Sequence, residues 1–249
     1  MAIFAISDLH LSLTAPWRKG QAVELAKPMD IFGAAWADYP VPLAENWRKL
    51  VQPADTVLIA GDLSWAMTLA EAAFDFQFLQ DLPGRKLIIK GNHDYWWQSL
   101  SQVKKALPPS VIPLQHSALA VEGRAICGTR GWLSPAHRDF QEGEDRKIYE
   151  RELLRLEMAL KEGVKLGLPI IAMLHYPPLL PEEAESGFSR LLDSYPVTDC
   201  LYGHIHGDNA AAFSGLRQGV RYQNCSADRL ELRPLLIPAA GKNSLAENK

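Results

Sequence analysis

Cysteine is scarce: three residues among 249, Cys127, Cys200 and Cys225. The number is odd and no pair has Cys-x-x-Cys spacing, which favours buried free thiols in a reducing compartment over a catalytic role. Charge of one sign is scarce too. The formal net charge is −3 and no long run of either sign occurs. That leaves no electrostatic footprint for broad nucleic-acid or membrane-surface binding, although a local basic groove stays open. No apolar stretch approaches the ~20 residues that span a bilayer. The opening residues MAIFAISDLHL are apolar, but they lack a basic segment and Asp8 interrupts them early, so they read as a first strand rather than a signal peptide. Together these absences point to the cytoplasm. No linker composition and no short repeat divides the chain. Residues 1–240 therefore read as one domain, and 241–249 as a polar tail that frays.

What is present is concentrated at a few places. Five of the seven histidines stand in short motifs directly after apolar, strand-like runs. The motifs are Asp8-Leu9-His10, Gly61-Asp62, Gly91-Asn92-His93-Asp94, His175 and Gly203-His204-Ile205-His206. The runs are Ile3–Ile6, 57–60, 87–89, Ile170–Leu174 and 200–202. A sheet that exposes imidazoles and carboxylates along one edge is what a polynuclear metal site needs.

Helical patterns alternate with these runs, at 45–51, 68–82, 95–107, 144–164 and 190–195. The clearest is 144–164, where Tyr149, Leu153, Leu156 and Leu160 share one face. The alternation predicts an α/β fold. Residues 220–225 and 229–237 read as a strand pair. Two stretches, 12–43 and 177–187, are long for loops and leave the same edge as the motifs, which suggests a substrate-facing role.

Asp8 and His10 are two apart, so in extended chain they point to one side, and His204 and His206 repeat that spacing. Asp62 ends a buried run, where an unpaired carboxylate is costly and a cation would resolve the cost. Asn92 offers a neutral oxygen and His175 a further nitrogen. Any one of these residues alone is more often solvated or hydrogen-bonded than a ligand. Their joint order is not readily accidental.

That order, D-x-H, G-D, G-N-H-[DE], a lone H and G-H-x-H, resembles the calcineurin-like metallophosphoesterases from residue 8 to residue 206. The KPMDIFG and GTRGW segments resemble a bacterial subgroup of that superfamily. The resemblance implies a four-layer α/β/β/α sandwich of two mixed sheets flanked by helices. It also implies two divalent or trivalent transition-metal ions. One would take Asp8, His10, Asp62 and His206, the other Asp62, Asn92, His175 and His204, with Asp62 bridging. Such mixed oxygen and nitrogen sets suit manganese, iron or zinc better than calcium or magnesium. Hydroxide held between ions ~3.5–4 Å apart would attack phosphorus in line. His93 would protonate the leaving oxygen, with Asp94 orienting it or binding backbone instead.

The activity implied is hydrolysis of a phosphate mono- or diester, with a small organophosphate or nucleotide as substrate. A nuclease or protein phosphatase of the same chemistry is the alternative, although the missing basic stripe argues against nucleic acid. A non-catalytic scaffold is the third, and the complete motif set argues against it. Arg130, in Gly128-Thr129-Arg130-Gly131-Trp132, reads equally as a phosphate clamp and as a surface ion pair. Asn92 could also touch substrate. Trp65 and Trp132 stand near motifs and could stack an aryl group, whereas Trp96 and Trp97 read as core. His116 and His137 lie outside the motifs. After Gly61-Asp62 the chain continues Leu63-Ser64-Trp65, without the second acid or histidine some branches carry, so no specificity is transferred from those branches.

Overall fold

The computed structural model describes residues 1–207 and 212–239. The tail expected at 241–249 lies outside the described residues. In chain order the elements begin with β1 (Ile3–Ile6), α1 (Pro40–Leu50), β2 (Thr56–Ile59), α2 (Ala73–Gln80), β3 (Arg85–Ile88), α3 (Leu100–Ala106) and β4 (Val111–Pro113). They continue with β5 (Ala118–Val121), β6 (Arg124–Thr129), α4 (Glu142–Val164), β7 (Ile170–Leu174), α5 (Gly187–Asp193) and β8 (Val197–Tyr202). The last are β9 (Gly215–Arg217), β10 (Val220–Asn224) and β11 (Leu235–Ile237).

Among the described residues the strands form two mixed sheets, ordered β11-β1-β2-β3-β4 and β5-β6-β7-β8-β10-β9. β1 to β4 run parallel, as do β6, β7, β8 and β10, while β11, β5 and β9 are antiparallel edges. Every residue of β1, β2 and β7 is buried. Parallel strands covered on both faces read as unbroken apolar runs, which is why the sequence displays them so plainly.

Alternation along those strands builds three apolar layers. Phe4, Ile6, Val57 and Ile59 pack outward onto Leu43, Trp47, Phe76 and Leu79 of α1 and α2. Ile3, Ala5, Leu58, Ala60 and Leu87 point the other way, against Ile126, Ile171, Met173 and Leu201 of the second sheet. The outer face of that sheet packs Cys127, Ala172 and Tyr202 onto Leu156, Leu160, Phe188 and Leu192 of α4 and α5. The result is the α/β/β/α sandwich the motifs imply. The three cysteines are free and buried. No helix among the described residues is long and apolar enough to cross a membrane.

Several boundaries differ from the pattern-based expectation. The helix expected at 95–107 begins only at Leu100, where Ser99 and Gln102 form a capping box. The residues before it turn around Asp94, which accepts from Trp96 Nε1 at 3.0 Å. α1 starts earlier than expected, with proline in its first turn. Residues 220–225 and 229–237 do not pair with each other. β10 instead closes a two-residue hairpin with β9 through Gln218 and Gly219, both at positive φ, and lies parallel to β8. β11 crosses to the other sheet and pairs with β1. The turn from Ala227 to Leu232 makes that crossing, closed by a 2.7 Å bond from Leu232 N to Ala227 O.

Candidate metal centre

All five motifs follow the carboxyl ends of parallel strands: β1, β2 and β3 in one sheet, β7 and β8 in the other. Crevices at such ends are where open α/β sheets place ligands. Asp8, His10, Asp62 and His204 all have positive φ, between 46° and 71°. Each such residue costs on the order of 1–3 kcal/mol unless its surroundings over-determine it. Here the surroundings do. Asp8 accepts from the Ser7 and Ser226 hydroxyls and from His204 N at 3.0 Å, and Asp62 Oδ1 accepts from His93 N at 2.8 Å. Two glycines let the loops close. A Cβ on Gly91 would overlap Asp62 Oδ1, and one on Gly203 would overlap Asp8 Oδ2.

Two groups of donor atoms converge, each with all its atoms within 4.8 Å of one another: Asp8, His10 and His206; and Asp8, Asp62 and His175. Asp62 Oδ2 stands 4.0 Å from His10 Nε2 and 3.4 Å from His175 Nε2, so it reaches both groups. Asn92 Oδ1 lies 2.6 Å from His175 Nε2 and 3.0 Å from His204 Nδ1. All seven candidate ligands therefore meet in one place.

The hydrogen-bonding pattern fits a bound cation. His175 Nδ1 faces the Ala60 carbonyl at 3.1 Å, which places its proton there. In a neutral ring, Nε2 is then a lone pair aimed at the oxygens of Asn92 and Asp62. His206 repeats the arrangement: Nδ1 is held by Asp228 Oδ1 at 3.1 Å, while Nε2 faces Asp8 Oδ1 at 3.6 Å and His10 Nε2 at 3.3 Å. The same groups act on the pKa of His175. Burial pulls that pKa down, but Asp62, Asp8 and the Ala60 carbonyl raise it to about 9. Burial also opposes ionisation of Asp62, yet His175 and His10 hold its carboxyl well below the usual carboxylate range. Burial lowers His10 to about 4 against the pull of Asp8 and Asp62. Burial and the His175 charge lower His204 to about 3. The neutral imidazoles of His10 and His204 beside the ionised Asp62 are metal donors.

His93 stands beside this cluster rather than in either donor group. Its ring centroid is 5.7 Å from that of His10 and 4.2 Å from that of Trp65, and its Nδ1 is buried without a hydrogen-bond partner among the described residues. Asp94 does not reach the His93 ring. It is fully buried and accepts from Asp62 N, Leu63 N, Ser64 N, Gly91 N and Trp96 Nε1, at 2.7–3.2 Å. It thus clasps the β2 and β3 loops together. The Arg130 guanidinium lies over Trp132 at 4.5 Å and 3.8 Å from Glu152. The Arg130 carbonyl, however, accepts from His175 N and Tyr176 N, both at 2.9 Å.

Two neighbours, Asp228 and Trp36, lay outside the motif reading. Asp228 orients His206, and a carboxylate behind a histidine is the usual partner of a metal-bound imidazole. Its signal was weak: a lone acid just after β10. Trp65 stacks on His10 at 4.9 Å and 22°, and Trp36, from the 12–43 segment, meets His10 and His206 edge-on at 6.1 and 5.7 Å. Trp96 and Trp97 are buried in the core. Tyr176 packs on His204 at 4.1 Å. Beside it, residues from the 177–187 segment, including Leu180, line a cavity of about 230 Å³ with Ser134 and His137. His116 borders a different cavity.

The sequence profile described as calcineurin-like phosphoesterase matches residues 1–208, a span that includes every candidate ligand. No curated protein matches the chain. Among solved structures, the phosphopantetheinyl hydrolase PptH from Mycobacterium tuberculosis is 15% identical, with a TM-score of 0.58 over 99% of this chain and 98% of that one. A protein of unknown function from Aquifex aeolicus, AQ665, is 16% identical, with a TM-score of 0.43 over 94% and 95%. At such identity the hydrolase likeness is one of fold.

Proposed function

The chain belongs to the calcineurin-like phosphoesterase family and is a metal-dependent phosphoric ester hydrolase; on that premise we propose that it works with two ions on a small organophosphate. One ion would be held by Asp8, His10, Asp62 and His206, the other by Asp62, Asn92, His175 and His204. The observation that carries this reading is Asp62 Oδ2, which lies within 4.0 Å of histidine nitrogens on both sides of the cluster. When bound, such ions neutralise phosphoryl oxygens and make water a nucleophile at neutral pH. Manganese, iron and zinc suit the donor set.

The remaining work falls to side chains. The Ala60 carbonyl and Asp228 fix the tautomers of His175 and His206, so that the ring nitrogens turned inward are lone pairs. Trp65 and Trp36 wall the site against water. His93, half-buried at its margin, donates the proton to the leaving oxygen. Asp94 acts as a positioning residue by holding the Gly61-Asp62 and Gly91-Asn92 loops at their observed spacing. Residues 1–240 act as one catalytic domain, because the layer between the sheets draws on both halves of the chain. The three buried thiols accord with the cytoplasm.

The test is a panel of phosphate mono- and diesters, a phosphopantetheinyl ester among them, assayed with manganese, zinc or iron. Metal content is counted by mass spectrometry in the wild type and in Asp62→Asn. Two ions per chain and metal-dependent turnover are expected, with both lost in Asp62→Asn. One ion per chain with full turnover would overturn the dinuclear reading.

A further inference from the structure

Lateral to the metal centre, a cavity of about 290 Å³ opens where the ends of β3 and β6 meet α4. Its walls carry four cationic side chains, Lys90, Arg130, Arg151 and Arg155, and one acidic one, Glu152. We propose that this cavity is a second binding site, for a phosphate-type oxyanion. The binding itself goes beyond the hydrolase reading; only a role toward substrate rests on it.

Glu152 organises the site. It has no exposed surface, although it sits on an otherwise apolar helix face. It accepts from Thr129 Oγ1 at 2.7 Å and from Arg155 Nη1 at 2.7 Å. Arg130 Nη2 and Arg151 Nε each stand 3.8 Å from it. One carboxylate thus draws three guanidinium groups to one wall, and Arg155 alone would suffice to neutralise it. Among the described residues Lys90 has no such partner: its Nζ reaches the Trp97 carbonyl at 3.5 Å. Three positive charges are left in excess around one cavity, and a bound anion would offset their mutual repulsion. The Arg130 guanidinium packs over the Trp132 ring at 4.5 Å, which narrows the freedom of its donor fork before any ligand binds. Arginine forks and a lysine point charge are the groups that recognise phosphate oxygens.

The position ties the cavity to the metal centre. Lys90 stands two residues before Asn92, and the Arg130 carbonyl holds the backbone of His175. An ester with its scissile phosphoryl at the metals could place a second anionic group here, or a free oxyanion could bind alone.

The test titrates inorganic phosphate into the full chain at constant ionic strength by calorimetry, with and without a chelator that empties the metal centre. Variants are Arg151→Gln with Arg155→Gln, and Lys90→Gln, which leaves the Glu152 contacts in place; thermal melts check folding. Saturable binding that survives the chelator is expected, weakened about tenfold or more in the double variant and less in Lys90→Gln. Absence of chelator-resistant binding, or equal binding in folded variants, overturns the proposal. Turnover then separates the two sources. A KM rise for fructose 1,6-bisphosphate but not for 4-nitrophenyl phosphate in the variants assigns the site to substrate. Sulfate-dependent turnover of 4-nitrophenyl phosphate in wild type alone assigns it to a free oxyanion. Failure of all turnover would count against the hydrolase reading and leave the phosphate titration to decide this one.

Discussion

Replacing Asp75 by asparagine should flatten part of the pH dependence of folding. Asp75 lies on α2 with 1% of its surface exposed, and no cation offsets its charge among the described residues. Its Oδ1 accepts from Leu13 N at 2.9 Å and its Oδ2 meets the Ser64 hydroxyl, so it joins the loops that follow β1 and β2. Burial raises its carboxyl from 3.8 to about 7, against the opposing pull of those two hydrogen bonds. Between these values the folded chain keeps a proton that the unfolded chain has released. Stability from this group is therefore fully present below about pH 4 and is lost as pH rises toward 7. At about 1.4 kcal/mol per pH unit, the window amounts to roughly 4 kcal/mol. Asparagine reproduces the protonated form: its oxygen accepts from Leu13 N and its NH₂ faces Ser64. The assay is urea unfolding of both proteins from pH 4 to 8, read as the difference between them, in which other titrations, metal ligands included, cancel. Asp75→Asn should gain on the wild type steadily from about pH 4 and level off above pH 7. A difference that does not change with pH would refute the reasoning.

Three other outcomes follow from the centre itself. His93→Asn should retain the wild-type metal content by mass spectrometry while turnover falls ~10²–10⁴-fold, the usual span for a lost general acid; near-normal turnover would remove His93 from the chemistry. Asp228→Ala, which frees the His206 ring, should weaken metal binding by ~10–100-fold in competition with a chelating dye. Gly91→Ala should also weaken metal binding, by about tenfold or more, because the new Cβ displaces Asp62. Gly143→Ala, with open space around its Cβ, is the matched control, and equal affinities for the two would discount the close approach.

The centre was legible in the sequence to an unusual degree, and the reason is the parallel sheet. The last residues of these buried strands form apolar runs, so the first aspartate or histidine after each run marks a strand end. Residues that serve the centre from outside this pattern were not legible. Asp228 follows β10, a strand whose neighbours were misassigned because the true hairpin turn is Gln218-Gly219. Asp94 stands in a motif, yet its five donors come from two loops and one indole, a geometry that spacing does not carry. Trp65 and Trp97 occupy similar places after motifs, and only packing sends one to the site and the other to the core.

By itself, the sequence determined the α/β class and the phosphoester chemistry and singled out the candidate ligands, because each depends on residue type and order along single strands. Tertiary structure decided which carboxylates orient which rings, and which tryptophans pack on the candidate ligands. It also decided that Lys90, Arg130, Arg151 and Arg155 surround one cavity. Those features join elements far apart in the chain, and contacts of that kind are set by how the two sheets and their helices pack, which no local pattern encodes.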